Sequence, residues 1–130
     1  MQTLLPPGWP RPKGYANGVA ARGRMVFTAG VVGWDEHERF VATDFTGQFV
    51  QVLRNTLAIL AEAGAGPEHV VRMTWYILDR DEYVASLAAI GAAWRELMGR
   101  HYPAMAVVAV AGLVEPVARL EIETTAVVPE

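Results

Sequence analysis

The sequence predicts a single α+β domain in which two helices cover one face of a mixed β-sheet. Strand-like apolar segments occur near both ends of the chain, and two amphipathic helical segments lie between them. A length of 130 residues suits one domain with a modest core. In chain order the predicted elements are β-β-(β)-α-β-α-β-β. Because each helix needs one covered face, both are expected on the same side of the sheet, and the other side then lacks a partner within one chain.

The first part of the chain is predicted as an arm followed by a hairpin. Residues 1–14 contain four prolines and two glycines, which predicts an irregular arm. Strands are predicted over residues 15–19 and 24–29, joined by a turn at residues 21–23. A polar loop follows at residues 35–38, and residues 40–41 add a short strand.

The first helix is indicated by its cap and its periodicity. Thr43 or Asp44 can accept the free N–H groups of the first turn. Gly64 is predicted to end the helix, and Pro67 prevents it from resuming. Apolar residues recur at intervals of four and three on one face: Phe45, Phe49, Leu53, Leu57 and Leu60.

A strand and a second helix follow. Residues 69–78 are rich in β-branched and aromatic types, which predicts a strand with Val71, Met73, Trp75 and Ile77 on one face. The helix is predicted to begin near Asp79 and to stop at Gly99. Its expected apolar stripe consists of Tyr83, Leu87, Ile90, Trp94 and Leu97.

The last two strands bring in the first candidate chemistry. Residues 104–110 form an almost wholly apolar strand, and residues 119–128 form the final one. Glu121 and Glu123 point to the same face of that final strand. Two carboxylates so placed can serve as an acid and a base. Acids that alternate with apolar residues near a strand end are also typical of a solvated face, and the residues alone leave both readings open.

Composition excludes several classes of function. The net charge is −3, and Lys13 is the only lysine, so an electrostatic nucleic-acid footprint is not expected. The chain has no cysteine, which rules out disulfides, thiolate catalysis and Cys-based zinc sites. His37, His69 and His101 lack metal-ligand spacing, and no nucleotide fingerprint occurs. Neither a metal nor a cofactor is expected.

The apolar content bears on location and on assembly. The N-terminus lacks a basic region followed by a continuous apolar run, and no stretch is long enough to span a bilayer. A cytoplasmic, soluble protein without membrane contacts is therefore expected. Hydrophobic residues make up 52% of the chain, which is high for a small domain. Two explanations stay open: an Ala/Val-rich composition bias, or apolar surface that is buried between subunits.

Short motifs in a fixed order resemble the RidA/YjgF family of small trimeric enamine and imine deaminases. The resemblance runs from about residue 15 to residue 128 and rests on Tyr15-x-x-Gly18, Phe27-Thr28-Ala29-Gly30, Gln48 with Asn55, Glu62-Ala63-Gly64, Tyr102-Pro103-Ala104 and Glu121-Ile122-Glu123. It implies a chorismate-mutase-like α+β fold in which two helices cover a mixed sheet. It also implies a homotrimer with a central barrel of sheets and with small-molecule clefts between subunits.

The resemblance also implies a set of site residues. Glu121 would orient the attacking water, while Tyr15 and the backbone of Gly30 and Val31 would line the cleft. Met105 stands where the family typically has an arginine that holds the substrate carboxylate. A thioether cannot replace that anchor, so an anionic ligand should lose about 2–5 kcal/mol of binding free energy.

Other residues indicate how the pocket differs from that of the family and which cations could bind an anionic ligand. Leu87 falls where the family has a cleft asparagine, so an apolar remodelling of the pocket is expected. Other cations that can compensate for the missing arginine are Arg72, Arg95, Arg100 and His101. Trp34 is in a loop, where aromatic side chains often contact ligands or partners.

Two functions follow from the resemblance. The first is hydrolytic deamination of a small enamine or imine, such as a 2-aminomuconate-like molecule. The second is a non-catalytic trimer that binds a small apolar or aromatic metabolite in the same clefts. Family members have also been labelled ribonucleases, but the near-neutral charge of this chain argues against that activity.

Overall fold

The computed structural model describes residues 1–130 and has an α+β architecture. The strands are β1 (Gln2–Leu4), β2 (Gly18–Ala20), β3 (Arg24–Phe27), β4 (Val31–Val32), β5 (Val70–Ile77), β6 (Ala104–Ala109) and β7 (Leu120–Val128). The α-helices are α1 (Phe45–Ala61), α2 (Arg80–Ala85) and α3 (Leu87–Met98). None of these helices combines the length and the apolar character that crossing a bilayer requires.

The main sheet is mixed, as the sequence predicts. Its strand order is β3-β7-β5-β6. Strand β4 also pairs with β7, beyond the end of β3. Strands β5 and β6 run parallel, whereas β7 is antiparallel to β3, β4 and β5. The parallel pair is connected through α2 and α3, because parallel neighbours need a long crossover.

The core lies between the helices and one face of this sheet. Phe49 of α1 packs on Trp75 of β5, with ring centroids 4.9 Å apart, and Trp94 of α3 lies 6.2 Å from Trp75. Leu120 and Ile122 of β7 are fully buried beneath the helices. The predicted stripe of α1 is confirmed by the burial of its residues, with Leu57 only partly covered.

The predicted cap of α1, the predicted start at Asp79, which caps α2, and the predicted stops after α1 and α3 are confirmed. The Asp44 carboxylate accepts the Gly47 N–H at 3.2 Å and caps α1. Gly64 and Gly99 follow the ends of α1 and α3 with φ values of 72° and 69°. Only glycine adopts this left-handed conformation without a steric penalty, which explains why the helices stop there.

The predicted second helix is wrong in one respect, because it is broken in two at Ser86. That residue has φ −97° and ψ 1°, and its hydroxyl donates to the carbonyl of Glu82 at 2.8 Å. Most of the predicted stripe is nevertheless confirmed, because Ile90 and Trp94 are buried and Tyr83 and Leu97 pack against the core. Leu87, predicted as part of that stripe, is 47% exposed, and the buried residues of α3 are Ile90, Trp94 and Met98.

The N-terminal predictions need three corrections. The arm is not wholly irregular, because β1 pairs with β2 in a separate two-stranded sheet. No hairpin joins β2 to β3, since β3 pairs instead with β7 at the far end of the chain. The strand predicted over residues 40–41 is absent, and β4 takes the place beside β7. For the hairpin, long-range pairing of β3 with β7 outweighs the local turn chemistry that suggested the prediction.

A smaller correction concerns β5. The register against β7 shifts between Val70 and Arg72, which is a β-bulge. The extra residue turns the face over, so Val70 is buried where Val71 was expected. Met73, Trp75 and Ile77 are buried as predicted.

Candidate functional site

A cavity of about 460 Å³ lies between α3 and the β5–β6 part of the sheet. We call it the helix cavity. Nine of its 13 lining residues are hydrophobic. Three residues that the resemblance assigns to ligand binding line it together: Tyr15, Leu87 and Met105. Leu87 is half exposed because its side chain forms part of the wall of this open cavity.

Aromatic rings form one wall of the helix cavity. The Trp94 ring stacks on that of Tyr102 with centroids 6.1 Å apart and planes at 13°. Trp75 meets the edge of Tyr83 at 6.4 Å, and all four residues line the cavity. Burial raises the pKa of Tyr83 above its usual value of 10.0, so its hydroxyl stays neutral. Rings in this arrangement suit a flat, apolar or unsaturated ligand.

The same wall contains two donors without acceptors. The Nε1–H groups of Trp75 and Trp94 are buried and have no hydrogen-bond partner in the protein. Buried indole N–H groups usually find an acceptor. The helix cavity therefore has a mostly apolar lining, and two buried N–H donors in its wall lack an acceptor.

The charged residues that line the helix cavity are both cations. Lys13 comes from the arm and Arg95 from α3. A methyl group on Gly91, one turn before Arg95, would lie 3.5 Å from Nη1 of Arg95. The guanidinium thus folds back along the helix. Of the cations considered as replacements for the missing arginine, Arg95 alone lines this cavity.

Glu121 and Gly30 form a second cluster. Strand β4 pairs with β7 so that Val32 lies opposite Glu121. A methyl group added to Gly30 would collide with Oε2 of Glu121, which places the carboxylate directly against the glycine. The Val31 side chain is buried in the core, so this side chain does not contact a ligand.

The two acids of β7 differ in their surroundings. The Tyr76 hydroxyl donates to Oε1 of Glu123 at 2.7 Å. This hydrogen bond is the main reason that the pKa of Tyr76 is raised above 10.0, with burial and the nearby carboxylates adding to it. The Glu121 carboxylate takes part in no ion pair or side-chain hydrogen bond. Glu121 is therefore the acid that remains available for chemistry.

The helix cavity and Glu121 lie on opposite faces of the sheet. Met105 is in register with Met73, which lies opposite the buried Thr124. Glu121 lies opposite Tyr76, and both residues are an odd number of positions from the Met73–Thr124 pair along their strands. Because side chains alternate along a strand and registered neighbours share a face, Met105 points towards the helices and Glu121 away from them. One chain does not bring together all the residues predicted for the site.

We call the side that bears Glu121 the open face. It also carries Met25 and Phe27 of β3, which are 59% and 64% exposed, and Val108 of β6, which is 42% exposed. Their register partners on β7 and β5 are Val127, Thr125 and Tyr76. Arg72 belongs to this face as well, beside Thr74 and Glu123. No helix of the chain covers it.

Other candidate residues have structural roles or lie apart. The carbonyl of Trp34 accepts from Nδ2 of Asn55 at 2.6 Å, and its ring packs on Phe40 at 5.8 Å; it lines neither cluster. His101 does not line the helix cavity. Sequence reasoning missed Lys13, because it lies in an arm for which no periodic pattern predicts a position. No three His, Asp or Glu side chains come together as a metal site.

Comparison of the sequence with known proteins places these features in a family. The model of the endoribonuclease L-PSP family matches residues 10–128. A RutC family protein of Synechocystis is 34% identical over 122 residues, which cover 92% of this chain and 91% of that protein. A 2-iminobutanoate/2-iminopropanoate deaminase of Salmonella typhimurium is 33% identical over 116 residues, covering 87% of this chain and 86% of the relative.

Comparison of the structures agrees. YyfB of Yersinia pestis, a protein of unknown function in the conserved Rid family, superposes with a TM-score of 0.86 at 31% identity, covering 98% of each chain. E. coli TdcF, solved with bound serine, superposes with a TM-score of 0.68 at 32% identity, covering 93% of this chain and 91% of that one. The matches extend over nearly the whole molecule. The chain therefore belongs to the RidA/YjgF family, the endoribonuclease L-PSP family of the matching sequence model.

Proposed function

We propose that this protein is a hydrolase that deaminates a small enamine or imine with an unsaturated body in a cleft between two chains. The observation that carries the proposal is the division of the predicted site between two faces of one sheet. The helix cavity of one chain can be completed by Glu121 and the Gly30–Val31 backbone of another. A relative named as a 2-iminobutanoate/2-iminopropanoate deaminase supports the reaction class.

The reaction needs little from the protein besides a positioned water. A water held by the Glu121 carboxylate adds to the C=N carbon, and its proton passes through the carboxyl to the nitrogen. The resulting hydroxyl group then gives up its proton, which passes through the same carboxyl to the nitrogen as the C–N bond breaks, so that ammonia leaves and a carbonyl compound remains. An enamine enters the same sequence after protonation at carbon gives the imine. The backbone at Gly30 and Val31 would hold a polar ligand atom.

The lining of the helix cavity favours an apolar substrate over a simple 2-imino acid. Met105 and Leu87 offer no charge or hydrogen bond where a carboxylate would otherwise be anchored. The aromatic wall suits an unsaturated carbon chain instead. In a molecule of the 2-aminomuconate kind, it is the conjugated body that this wall suits, while its carboxylates would depend on Lys13 and Arg95, the cations that line the cavity.

Self-association is part of the proposal. The exposed Met25, Phe27 and Val108 on the open face are apolar residues that water disfavours. We propose that the open faces of three chains pack together as a homotrimer with a chorismate-mutase-like barrel of sheets. The clefts between neighbouring chains would then hold the substrate.

One observation favours a second candidate, a non-catalytic binder of a small apolar or aromatic metabolite. No acid and no histidine lines the helix cavity within one chain. If Glu121 of a neighbour does not reach the ligand, the cavity offers no carboxylate or imidazole as a general base. This protein would then use the same aromatic wall for binding alone.

Ammonia release separates the two candidates. The substrates are 2-imino acids made in situ and an aminomuconate-type enamine. We expect wild type to turn over the enamine, and Glu121→Gln to lower kcat by about 10²–10⁴-fold, the usual share of a general base. Glu115→Gln, in the turn before β7, is the matched control and should retain the activity.

Met105→Arg tests the reading of the apolar pocket. It should raise kcat/KM for 2-imino acids by about 30-fold or more, because it supplies a carboxylate anchor. If neither wild type nor Met105→Arg releases ammonia from any of these substrates, the hydrolase is ruled out in favour of the binder. Equal activity of wild type and Glu121→Gln would show that Glu121 is not the base.

A further inference from the structure

Helix α2 forms part of the wall of the helix cavity, although packing holds it only weakly. It is six residues long, and none of its residues is buried. Tyr83 is its contribution to the wall, and the Tyr83 ring meets Phe45 and Trp75 edge-on, with centroids 6.3 Å and 6.4 Å apart. Most helical stability in proteins comes from a packed apolar face. Because α2 buries so little, polar interactions must decide where Tyr83 lies.

Local hydrogen bonds define the two ends of α2. The Asp79 carboxylate accepts the N–H groups of Asp81 at 2.9 Å and of Glu82 at 3.1 Å, which caps the start of the helix. At its other end the helix is broken at Ser86, so α2 does not continue as one rigid rod with α3. All of these contacts join near neighbours in the sequence. They fix the length of α2 but not its position relative to the sheet.

One ion pair connects α2 to a distant part of the chain. Nε of Arg119 donates to Oε1 of Glu82 at 3.2 Å, and Nη2 donates to Oε2 at 2.8 Å. Two parallel hydrogen bonds of this kind fix orientation as well as distance. The Arg119 and Glu82 side chains are 37% and 24% exposed. Solvent therefore screens them less than the Arg80–Asp81 pair of the same helix, whose side chains are 78% and 94% exposed.

Arg119 is itself held by the core. Its backbone N–H donates to Oε1 of the buried Gln48 at 2.7 Å. The next residue, Leu120, is the fully buried first residue of β7. The backbone that carries the guanidinium is thus fixed on both sides, and α2 takes its position from it through Glu82.

We infer that Arg119 and Glu82 are positioning residues that set the shape of the helix cavity and so determine which substrates it accepts. Neither residue lines the cavity, so both act through Tyr83. With the pair intact, the Tyr83 ring lies against Trp75 and bounds the aromatic wall. Without it, α2 can swing about the break at Ser86, and the cavity widens beside Tyr83. The inference rests on the proposed function, because it takes the helix cavity as the substrate site, and it adds the residues that govern selectivity there.

Two probes without a C=N bond measure the shape of the cavity separately from turnover. Sorbate is a conjugated diene with a carboxylate at one end and a methyl group at the other. Cinnamate has the same carboxylate, and a phenyl ring replaces the outer double bond and the methyl group. Both are monoanions, so they differ in width and not in charge. Calorimetry gives the two dissociation constants, and their ratio reports how closely the wall is defined.

Removing the ion pair should weaken binding of the narrow probe more than that of the wide one. We expect Glu82→Gln, which keeps the shape of the side chain, and Arg119→Gln each to weaken sorbate binding by about five- to tenfold, within the range of a coupled pair. Cinnamate binding should change by less than about twofold, because the broader phenyl ring still fills a widened cavity. Arg119→Lys keeps the charge but loses the bidentate geometry, so its sorbate affinity should fall between those of wild type and Arg119→Gln.

Arg80→Gln is the matched control, because it breaks the exposed ion pair of the same helix and Arg80 does not line the cavity. Its two dissociation constants should equal those of wild type. Thermal unfolding of each variant separates a loss of stability from a change of shape. If Glu82→Gln and Arg119→Gln lower the melting temperature but leave the ratio of dissociation constants unchanged, the pair is only structural and the inference is wrong. Effects that multiply in the double variant would also overturn it, because the two residues would then act independently.

Failure of the proposed function is a separate result. With an enamine substrate, Glu82→Gln should raise KM by about five- to tenfold and leave kcat within about twofold of wild type, because the pair shapes binding and not the chemical step. An altered ratio of dissociation constants without ammonia release from any substrate supports the inference and excludes the hydrolase. A wild-type protein that binds neither probe overturns the helix cavity as a ligand site, and the inference with it.

Discussion

Glu121 and Glu123 lie two positions apart on one strand, yet their environments differ. The Glu123 carboxylate accepts a hydrogen bond from Tyr76, whereas that of Glu121 packs against the Cα of Gly30. Spacing alone predicts that both point to the same face and cannot distinguish them. The neighbouring strands decide the difference, because β5 supplies the tyrosine and the segment before β4 supplies the glycine.

A prediction at this scale concerns Gly30→Ala. The added methyl group would displace the flexible end of Glu121, so the ammonia-release activity should fall. The free energy of unfolding should change by less than about 1 kcal/mol, because a surface side chain can move aside. Steady-state kinetics and denaturant unfolding measure the two effects.

Gly112→Ala is the matched control for that experiment. Nothing lies within 4 Å of a methyl group at Gly112, and this glycine is not in the left-handed conformation. Both activity and stability should remain as in wild type. An unchanged rate in Gly30→Ala would contradict the placement of Glu121 at the reacting atoms.

At the scale of elements, α1 fixes the loops that frame the sheet through two amide side chains. Gln48 is fully buried; its Nε2 donates to the carbonyls of Ala42 and Val117, and its Oε1 accepts the N–H of Arg119 at 2.7 Å. Two turns later Asn55 donates to the carbonyl of Val32 at 3.1 Å. The sequence flagged both amides as family motifs, and the structure shows why they are needed.

Gln48→Leu tests this role. The substitution leaves two carbonyls and one N–H without their partner, and each unpaired buried group costs about 1–3 kcal/mol. The free energy of unfolding should therefore fall by about 3 kcal/mol or more. Gln51→Leu, on the same helix, loses only a bond to Asn55 and should cost less than about 1 kcal/mol. Equal losses in the two variants would refute the buried network.

At the scale of the whole molecule, the open face is the main unexplained surface. The helices cover one side of the sheet, and the exposed Met25, Phe27 and Val108 lie on the other. Their combined exposure is a reason to expect that copies of the chain pack there. The proposed function requires that such packing bring Glu121 of one chain towards the helix cavity of another.

Light scattering tests that assembly. Wild type should have about three times the mass of the 14.2 kDa chain. Val108→Glu places a charge beside Tyr76 on the open face and should shift the mass towards that of the monomer. Val114→Glu, at a residue 95% exposed in the turn before β7, should remain assembled. A monomeric wild type would remove the shared clefts on which the proposed function depends.

Local patterns in the sequence determined much of the fold. The stripe of α1, its Asp44 cap, the glycines after α1 and α3, and the alternation along β7 are all properties of a few neighbouring residues. Such properties need no knowledge of distant segments, because helical and strand periods fix which residues share a face. The family resemblance likewise pointed to three residues that line the helix cavity, Tyr15, Leu87 and Met105, and to Glu121 with Gly30.

Only the tertiary structure decided how those faces are combined. The partner of β3 is the end of the chain and not its neighbour β2. The bulge in β5 buries Val70 in place of Val71, and the predicted second helix is broken at Ser86. The register of β5, β6 and β7 places Met105 and Glu121 on opposite faces. The two-residue period of a strand fixes which of its residues share a face. The register with distant strands then fixes which of those faces lie on the same side of the sheet.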